Sequence, residues 1–315
     1  MKKFLVLSST LILASTALFA AKNDVFISAK EAKVFLDNPD KYPNVKFVSG
    51  DPADSFPTEH IPGSVEMGAH HLHHSDVAGK MKCAPLYQCI EEAEHHIGEK
   101  GIDNNTLVIA YDDFRGPNAS GVYHFFKLYG HENVKILNGG RAALKELGVQ
   151  MEKGPEVIKE KKHYTIDSSK VNTSVAASKE DILKASNDIV SSIEKGTTSK
   201  YVILDSRAMT EIMGENKLDN VARGGHIPGA TFMEWKQVTD FDKKLSVPEN
   251  LDKVKEKLEK LGITKDKEIY TYCHVGAGRG SYFYSVLEAL GYENIKVYTG
   301  SWDEWGNDMN LPIRK

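Results

Sequence analysis

The sequence predicts an α/β fold built from two tandem domains, each a parallel sheet flanked by helices. At 315 residues with 41% hydrophobic residues, the chain is long enough to bury two cores of ordinary size. Short β-branched segments alternate with amphipathic segments, which is the pattern of a parallel sheet covered by helices on both faces. One half of the chain also repeats in the other half, which indicates a duplicated domain.

The repeat is clearest between residues 111–139 and 272–300, which align without a gap. The identities include Ser120 with Ser281, Tyr123 with Tyr284, Gly130 with Gly291, Glu132 with Glu293, Asn133 with Asn294 and Lys135 with Lys296. The sequence His-Ile-Pro-Gly also occurs twice, at residues 60–63 and 226–229. We therefore expect the two domains to share one fold.

Within each copy, a predicted strand leads through a loop into a predicted helix. Residues 106–111 and 268–272 have the β-branched and aromatic composition of buried strands. The helices that follow them are expected to end near Gly130 and Gly291, because glycine readily adopts the left-handed conformation of a helix C-cap.

Composition places the domain boundaries. The polar stretch 149–175 is rich in Lys, Glu, Ser and Thr and is predicted to be a linker. It separates a first domain at residues 22–148 from a second domain at residues 176–315.

The first 21 residues have the pattern of a secretory signal peptide. Lys2 and Lys3 precede an apolar run at residues 4–19, and Ala20 and Ala21 supply a small-residue cleavage site. The run is short for a membrane span, so an uncleaved anchor is the weaker alternative. We expect a periplasmic or secreted protein without stable membrane insertion once the signal is removed.

Charge and cysteine content narrow the chemistry. The formal net charge is −4 at pH 7, and no block of Lys and Arg is interleaved with aromatic residues, so nucleic acid is not an expected partner. In an oxidising compartment, three cysteines leave at least one thiol without an internal partner. Cys83 and Cys89 are close enough in sequence to form a disulfide, whereas Cys273 stands alone.

Cys273 begins a glycine-rich loop between a predicted strand and a predicted helix. Gly276, Gly278 and Gly280 permit backbone conformations that turn several N–H groups toward one point, and the helix N-terminus adds its positive dipole. Such a cradle binds anions and favours the thiolate form of a cysteine at its centre. The sequence therefore predicts that Cys273 is a nucleophile, with a buried unreactive cysteine as the alternative.

Taken together, these motifs resemble the rhodanese family, and in particular its tandem thiosulfate and 3-mercaptopyruvate sulfurtransferases. The resemblance rests on Asp-Ser-Arg at 205–207, Arg-Gly-Gly-His-Ile-Pro-Gly-Ala at 223–230, the cysteine loop, and Gly-Ser-Trp-Asp-Glu-Trp-Gly at 300–306. It implies two rhodanese-like domains in which Cys273 takes sulfane sulfur from a small anionic donor, holds it as a persulfide and passes it to a thiophilic acceptor. No metal or organic cofactor is implied.

The same resemblance implies which residues bind the substrate. Arg207 and Arg223 match family arginines associated with anion binding or with bracing the loop. Arg279 would hold the oxygens of an anionic donor. The other predicted substrate-binding positions are those of the loop itself, His274, Val275, Gly276, Ala277 and Gly278.

In the first copy, Asp112 stands where Cys273 stands in the second. A carboxylate cannot form a persulfide, and it repels an anionic donor. The first domain is therefore expected to be catalytically silent, like the first domain of tandem family members. Asp112 and Asp113 are expected to be solvated loop residues, as exposed acids usually are.

The cysteine loop departs from the common sulfurtransferase pattern because Gly278 lengthens it to Cys, five residues, Arg. This spacing resembles the phosphatase and arsenate-reductase relatives of the fold, whose wider loop encloses a tetrahedral oxyanion. An oxyanion enzyme is therefore the first alternative to sulfur transfer. A non-catalytic carrier of sulfur or of a metal is the second.

The metal-carrier alternative depends on a histidine-rich patch in the first copy, formed by His70, His71, His73, His74, His95 and His96. Such spacing can bind Zn or Cu, but clustered surface histidines are commonly solvated, so no metal site is predicted. We expect structural hydrogen bonds from His60 and His226, a structural role for the His274 side chain, and packing of Trp302 and Trp305 at the seam between the domains.

Overall fold

The computed structural model describes residues 25–73 and 89–315. The predicted signal peptide, His74 and Cys83 lie outside the described residues. No helix in the two described ranges is long and apolar enough to cross a membrane.

The first domain contains a five-stranded parallel sheet in the order β1-β5-β4-β2-β3. Its strands are β1 (Phe26–Ile27), β2 (Val45–Ser49), β3 (Val65–Glu66), β4 (Leu107–Tyr111) and β5 (Val134–Leu137). Its helices are α1 (Ala29–Asp37), α2 (Ala69–His73), α3 (Ile90–Glu99), α4 (Pro117–Leu128) and α5 (Gly140–Glu146).

The second domain contains a five-stranded parallel sheet in the equivalent order, β6-β10-β9-β7-β8. Its strands are β6 (Ala176–Ala177), β7 (Tyr201–Asp205), β8 (Thr231–Phe232), β9 (Glu268–Tyr272) and β10 (Ile295–Tyr298). Its helices are α6 (Lys179–Glu194), α7 (Met209–Ile212), α8 (Asp252–Lys260), α9 (Arg279–Ala289) and α10 (Ser301–Asn307). The predicted duplicated α/β fold is confirmed.

Local sequence signals reappear at equivalent places in the two domains. Each first helix opens with a capping box, Ser28 with Glu31 in α1 and Ser178 with Asp181 in α6, which satisfies N–H groups that the helix itself cannot. The helices α4 and α9 end shortly before Gly130 and Gly291, and both glycines have positive φ angles, 71° and 76°. The predicted glycine C-caps are thus confirmed.

The two His-Ile-Pro-Gly turns are held by the central strand of each sheet. The hydroxyl of Tyr111, at the end of β4, accepts the N–H of Ile61 at 3.2 Å, and that of Tyr272, at the end of β9, accepts the N–H of Ile227 at 3.3 Å. The histidine Nδ1–H groups donate to backbone carbonyls, from His60 to Phe56 and from His226 to Ile212, both at 3.0 Å. Their predicted structural role is confirmed.

The domains meet along α4 and α9, which pack against each other. Nearly every residue of both helices is buried, because each helix has its own sheet on one side and the other helix on the opposite side. The hydroxyls of Ser120 and Ser285 form a hydrogen bond across this contact at 3.0 Å. Since the two loops of interest lead into these helices, both loops open into one cleft between the domains.

The segment 149–175 is packed onto the first domain. Tyr164 and Ile166 are buried within it. Lys162 donates its N–H to Gly98 O at 2.9 Å, and Glu152 exchanges backbone hydrogen bonds with His60. The connection between the domains is therefore held in place by side-chain burial and by backbone hydrogen bonds.

Candidate active site

Cys273 is the first residue after β9, at the carboxyl end of the second sheet. This edge is where α/β folds bind their ligands. The thiol is free and only 1% exposed, and it donates to Ala277 O at 3.4 Å. The Cys273 N–H donates to Ser301 Oγ at 3.2 Å, which fixes the start of the loop against α10.

The loop after Cys273 requires glycine at its turn. Gly276 has a φ of 76°, and a Cβ at this position would clash with the carbonyl oxygen of Thr299. Gly278, with a φ of 85°, leads directly into α9. Gly276 and Gly278, both identified from the sequence, therefore allow the tight turn that the chain makes next to the thiol.

In the first domain, the loop equivalent to the cysteine loop binds the carboxylate of its own Asp112. The Asp112 carboxylate accepts the N–H groups of Gly116 at 2.9 Å, Asn118 at 3.2 Å and Ala119 at 3.3 Å. The expectation that Asp112 is solvated is wrong, because its side chain is buried. Burial, with the negative charges of Asp51 and Asp113 nearby, raises the pKa of Asp112 to about 7.

This filled cradle indicates what the second loop can hold. Cys273 occupies the place of Asp112, and Arg279 and Gly280 occupy the places of Asn118 and Ala119. The N–H groups of Arg279 and Gly280 have no acceptor among the described residues. The equivalent backbone donors are therefore available to a negative charge at the Cys273 sulfur, as thiolate or persulfide.

Arg279 is held by a carboxylate rather than left open to a substrate anion. Its Nη1 donates to Glu211 Oε2 at 2.6 Å and its Nη2 donates to Glu211 Oε1 at 3.1 Å. Burial disfavours the charged guanidinium, but the hydrogen bonds to Glu211 and the proximity of Cys273 outweigh it and raise the pKa of Arg279. Any anion that uses Arg279 must compete with Glu211.

The structure gives Arg207 a bracing position rather than the predicted substrate-binding one. Its guanidinium is buried, donates to both oxygens of Asp205 and to Gly225 O, and lies over the rings of Tyr272 and Trp302. All of these partners surround the base of the cysteine loop. Of the two roles that the resemblance allowed, bracing is the one that this geometry supports.

Arg223 is also placed away from a substrate-binding position. It donates to the backbone carbonyls of four residues near the C-terminus, Trp305, Gly306, Asp308 and Leu311. These bonds fasten the end of the chain to the second domain. The motif that contains Arg223 therefore contributes to the fold of this domain.

His274 cannot supply a positive charge beside the thiol near neutral pH. Burial, followed by the charge of Arg279, lowers the pKa of His274 to about 4. Its Nε2–H donates to Asn220 Oδ1 at 3.0 Å, and its carbonyl accepts the N–H of Asp303. These contacts agree with a structural role for the side chain. Val275 and Ala277 contribute loop backbone next to it, with Ala277 N donating to Val275 O.

The two tryptophans pack inside the second domain. Trp302 and Trp305 are buried in its core, and their indole N–H groups donate to Arg223 O at 3.0 Å and Pro312 O at 2.8 Å. The predicted packing role is confirmed, although the residues lie in the domain core rather than at the seam between domains.

The cleft between the two loops has a volume of about 160 Å³. Its lining comprises Asp112, Asp113, Arg115, Pro117, Asn118, Trp235 and Arg279. Trp235, Arg115 and Glu211 were not predicted from the sequence. Arg115 lies in the loop that the repeat equates with the cysteine loop, and Asn118 lies in the first turn of the helix that follows, so their position offered a signal. Trp235 and Glu211 offered none.

Cys89 and the described histidines of the histidine-rich patch lie outside this cleft. Cys89 is disulfide-bonded. His70, His71 and His73 fall within α2, and His95 and His96 fall within α3. Among residues 25–73 and 89–315, no group of three or more His, Cys, Asp or Glu side chains is arranged to hold a metal ion.

The fold and the site define a two-domain α/β protein with a buried free thiol at the carboxyl end of its second sheet. The chain belongs to the rhodanese family, and the model of the rhodanese-like domain matches it twice, at residues 29–147 and 187–308. The family resemblance of the sequence is confirmed. The protein is a sulfurtransferase-type enzyme with tandem rhodanese domains.

Relatives carry names from sulfur metabolism. A protein of Thermus thermophilus named sulfur carrier protein TtuD is 34% identical over 225 residues, which are 68% of this chain and 73% of the relative. A thiosulfate sulfurtransferase of Azotobacter vinelandii is 32% identical over 223 residues, which are 71% and 75% of the two chains.

A solved structure shares the fold across both domains. It is the anaerobic ergothioneine biosynthesis enzyme of Chlorobium limicola in complex with trimethyl histidine. The TM-score is 0.74 at 21% identity, and the alignment covers 94% of this chain and 71% of that one.

Proposed function

We propose that the protein moves sulfane sulfur from thiosulfate or a related donor to a thiophilic acceptor through a persulfide on Cys273. The observation that carries the proposal is the position of Cys273 where the first domain binds a carboxylate with three backbone N–H groups. At Cys273 the equivalent N–H groups of Arg279 and Gly280 are available, and they suit a sulfur atom that is negatively charged in both the resting and the loaded enzyme.

The proposed reaction has two balanced steps. After its proton passes to water, the Cys273 thiolate attacks the outer sulfur of thiosulfate. The sulfur–sulfur bond of the donor breaks, and sulfite leaves with the electron pair. The acceptor, for example cyanide, then attacks the terminal sulfur of the persulfide, and thiocyanate leaves as the Cys273 thiolate is regenerated. Neither step needs an external oxidant or reductant.

The pairing of Arg279 with Glu211 argues against the oxyanion-enzyme alternative. A phosphatase or arsenate-reductase loop uses its arginine to bind two oxygens of the substrate. Here a carboxylate occupies both of the donating nitrogens and adds a negative charge at the place where an oxyanion would lie. Thiosulfate meets the same competition for Arg279, but the persulfide that it forms needs only the backbone donors around Cys273.

The carrier alternative is supported by the name of the Thermus thermophilus relative, and it shares the persulfide with the proposed enzyme. The two differ in the second step. An enzyme turns over many times with a small acceptor such as cyanide, whereas a non-catalytic carrier would release its single sulfur only to a partner protein.

Intact mass spectrometry tests the proposal. Incubation with thiosulfate should add one sulfur atom to the protein, and cyanide should remove it. The Cys273→Ser variant should gain no sulfur, while Asp112→Asn should be loaded like the wild type. Repeated production of thiocyanate would distinguish the enzyme from a carrier, and cysteine-dependent hydrolysis of a phosphate ester in place of sulfur loading would refute the proposal.

We also propose that the protein acts outside the cytoplasm of its source cell, as a periplasmic or secreted protein. The support is the charge and apolar pattern of residues 1–21. N-terminal sequencing of the protein recovered from its source cells would test this, since export predicts a mature chain that begins close to residue 22.

A further inference from the structure

A second cavity lies at the opposite end of the helix pair α4 and α9, far from the two loops. Its volume is about 390 Å³, within the range of small-molecule sites. Cys273 lies just before the first turn of α9, whereas Glu288 in the last turn lines the cavity. The length of this helix, about 16 Å at 1.5 Å per residue, separates the cavity from the thiol.

Equivalent positions of the two copies form the walls of this cavity. Tyr123 and Tyr284 face it from α4 and α9, and Glu132 and Glu293 face it from the turns that follow these helices. Both pairs are identical residues in the repeat. The chemistry that the proposed function requires at Cys273 does not involve them, so sulfur transfer leaves their identity unexplained.

One hydroxyl of the cavity wall has no hydrogen-bond partner among the residues that the structure describes. Tyr284 is only 4% exposed, and its hydroxyl makes no hydrogen bond within the described part of the chain. By contrast, the hydroxyl of the equivalent Tyr123 donates to Glu288 Oε2 at 2.9 Å. The ring of Tyr284 is held by burial while its hydroxyl faces the cavity, so this oxygen is available to a hydrogen bond from a bound ligand.

The electrostatic environment of this hydroxyl is negative. Besides burial, the charges of Glu288 and Glu132 raise the pKa of Tyr284. Lys127 and Lys135 also line the cavity, but Lys127 forms ion pairs with Glu132 and Glu288. Burial raises the pKa of Glu288, and with all groups ionised three glutamates against two lysines leave the lining with an excess of negative charge.

From these observations we infer that the cavity between α4 and α9 binds a small organic cation with ammonium groups. An ammonium N–H can donate to the Tyr284 oxygen and to the carboxylates of Glu288 and Glu293, and its charge lies beside the rings of Tyr123 and Tyr284. A bare metal ion fits less well, because no metal-binding group of three or more His, Cys, Asp or Glu occurs in the described ranges.

Because both copies contribute side chains, a bound cation would hold the domains together at the end of the helix pair that is remote from Cys273. A ligand that binds only the folded protein raises its melting temperature. The inference does not depend on sulfur transfer, and Cys273→Ser should bind the cation as the wild type does.

Isothermal titration calorimetry and thermal unfolding of the full-length protein with 1,4-diaminobutane test the inference. We expect a dissociation constant below about 1 mM and a rise in melting temperature of roughly 2–4 °C at saturation. Glutarate, which has a similar length but two negative charges, should give no shift, and neither should MgCl₂ at the same ionic strength.

The key variant is Tyr284→Phe, which removes the hydroxyl that has no partner and keeps the ring. It should weaken binding of 1,4-diaminobutane at least five-fold, and Glu288→Gln should weaken it further. Tyr164→Phe is the matched control, because it removes the hydroxyl of another buried tyrosine outside this cavity and should bind normally. Absence of binding to the wild type, equal binding by Tyr284→Phe, or an equal response to glutarate or MgCl₂ would each overturn the inference.

Discussion

Glu211 and Arg279 form a bidentate ion pair beside the cysteine loop, with N···O distances of 2.6 Å and 3.1 Å. Both side chains are largely buried, so water screens this pair less than it would a surface pair. Glu211 belongs to α7 and Arg279 begins α9, so the pair also connects two elements that border the active site. The ion pair determines the electrostatic potential beside the cysteine loop, where the sulfur donor would bind.

We predict opposite effects from changing the two partners. Glu211→Gln should lower KM for thiosulfate several-fold. The neutral amide of Gln binds the Arg279 guanidinium more weakly than the Glu211 carboxylate does, so the thiosulfate dianion displaces it more easily. Arg279→Ala should lower kcat/KM for thiosulfate by about 10²-fold, the loss expected for a charge-assisted contact. Steady-state kinetics with thiosulfate and cyanide provide the measurement.

The double variant Arg279→Ala with Glu211→Gln is the control, since the single arginine change also leaves Glu211 unpaired. If that double variant regains wild-type kinetics, Arg279 serves only to neutralise Glu211. A rise in KM for Glu211→Gln would instead show that the carboxylate positions Arg279 for the donor.

The buried position of Arg207 leads to a prediction about stability. Arg207→Met should lower the free energy of unfolding by about 3–5 kcal/mol, because it leaves the buried Asp205 carboxylate without its cation. Urea unfolding measures this directly. If Arg207 were instead a substrate-binding residue, the variant would keep its stability and lose affinity for thiosulfate.

The turn at Gly276 leads to a prediction about a residue that shapes the cysteine loop without contacting the sulfur donor. Gly276→Ala should reduce sulfur transfer strongly, because the new methyl group clashes with Thr299 O and displaces the loop under Cys273. Gly148→Ala is the matched control, since Gly148 also has a positive φ, of 82°, but has open space around its Cα. Equal activity of these two variants would contradict this account of the loop.

The raised pKa of Asp112 predicts a pH-dependent difference in stability. Its folded-state pKa of about 7 lies above the unfolded value of about 4, so folding takes up a proton in this window. The wild type should therefore lose stability as the pH rises from 4 to 7. Asp112→Asn cannot titrate, and its melting temperature relative to the wild type should increase between pH 5 and pH 8.

Differential scanning calorimetry of both proteins at the two pH values checks this prediction, and titrations elsewhere in the chain cancel in the difference. A difference that stays constant with pH would mean that Asp112 is ionised throughout. Sulfur loading of Cys273 should be equal in the two proteins.

The sequence predicted the features that repeat or follow from local spacing. Gly130 and Gly291, the two His-Ile-Pro-Gly turns and the cysteine loop all act within a few residues or within one copy of the repeat. Glu211 could not be found this way, because it reaches Arg279 from a different helix and nothing in the spacing of charged residues shows which carboxylate does so.

The error at Asp112 has a different cause. The loop and the helix N-terminus that predict an anion-binding site around Cys273 have counterparts in the first domain. There the carboxylate of Asp112 is itself the bound anion. The aspartate was expected to be a solvated surface acid, although the duplicated loop offers it backbone donors. Applying one physical argument to both copies would have predicted its burial.

The burial of α4 and α9 against each other also bears on the history of the duplication. A substitution that removes the nucleophile from one copy leaves the shared interior between these helices intact. Deletion of that whole copy would expose a helix with almost no polar face to water, which promotes aggregation. One copy of such a duplicated protein can therefore lose its nucleophile without harm to the fold. Loss of the whole copy would destabilise the domain that remains.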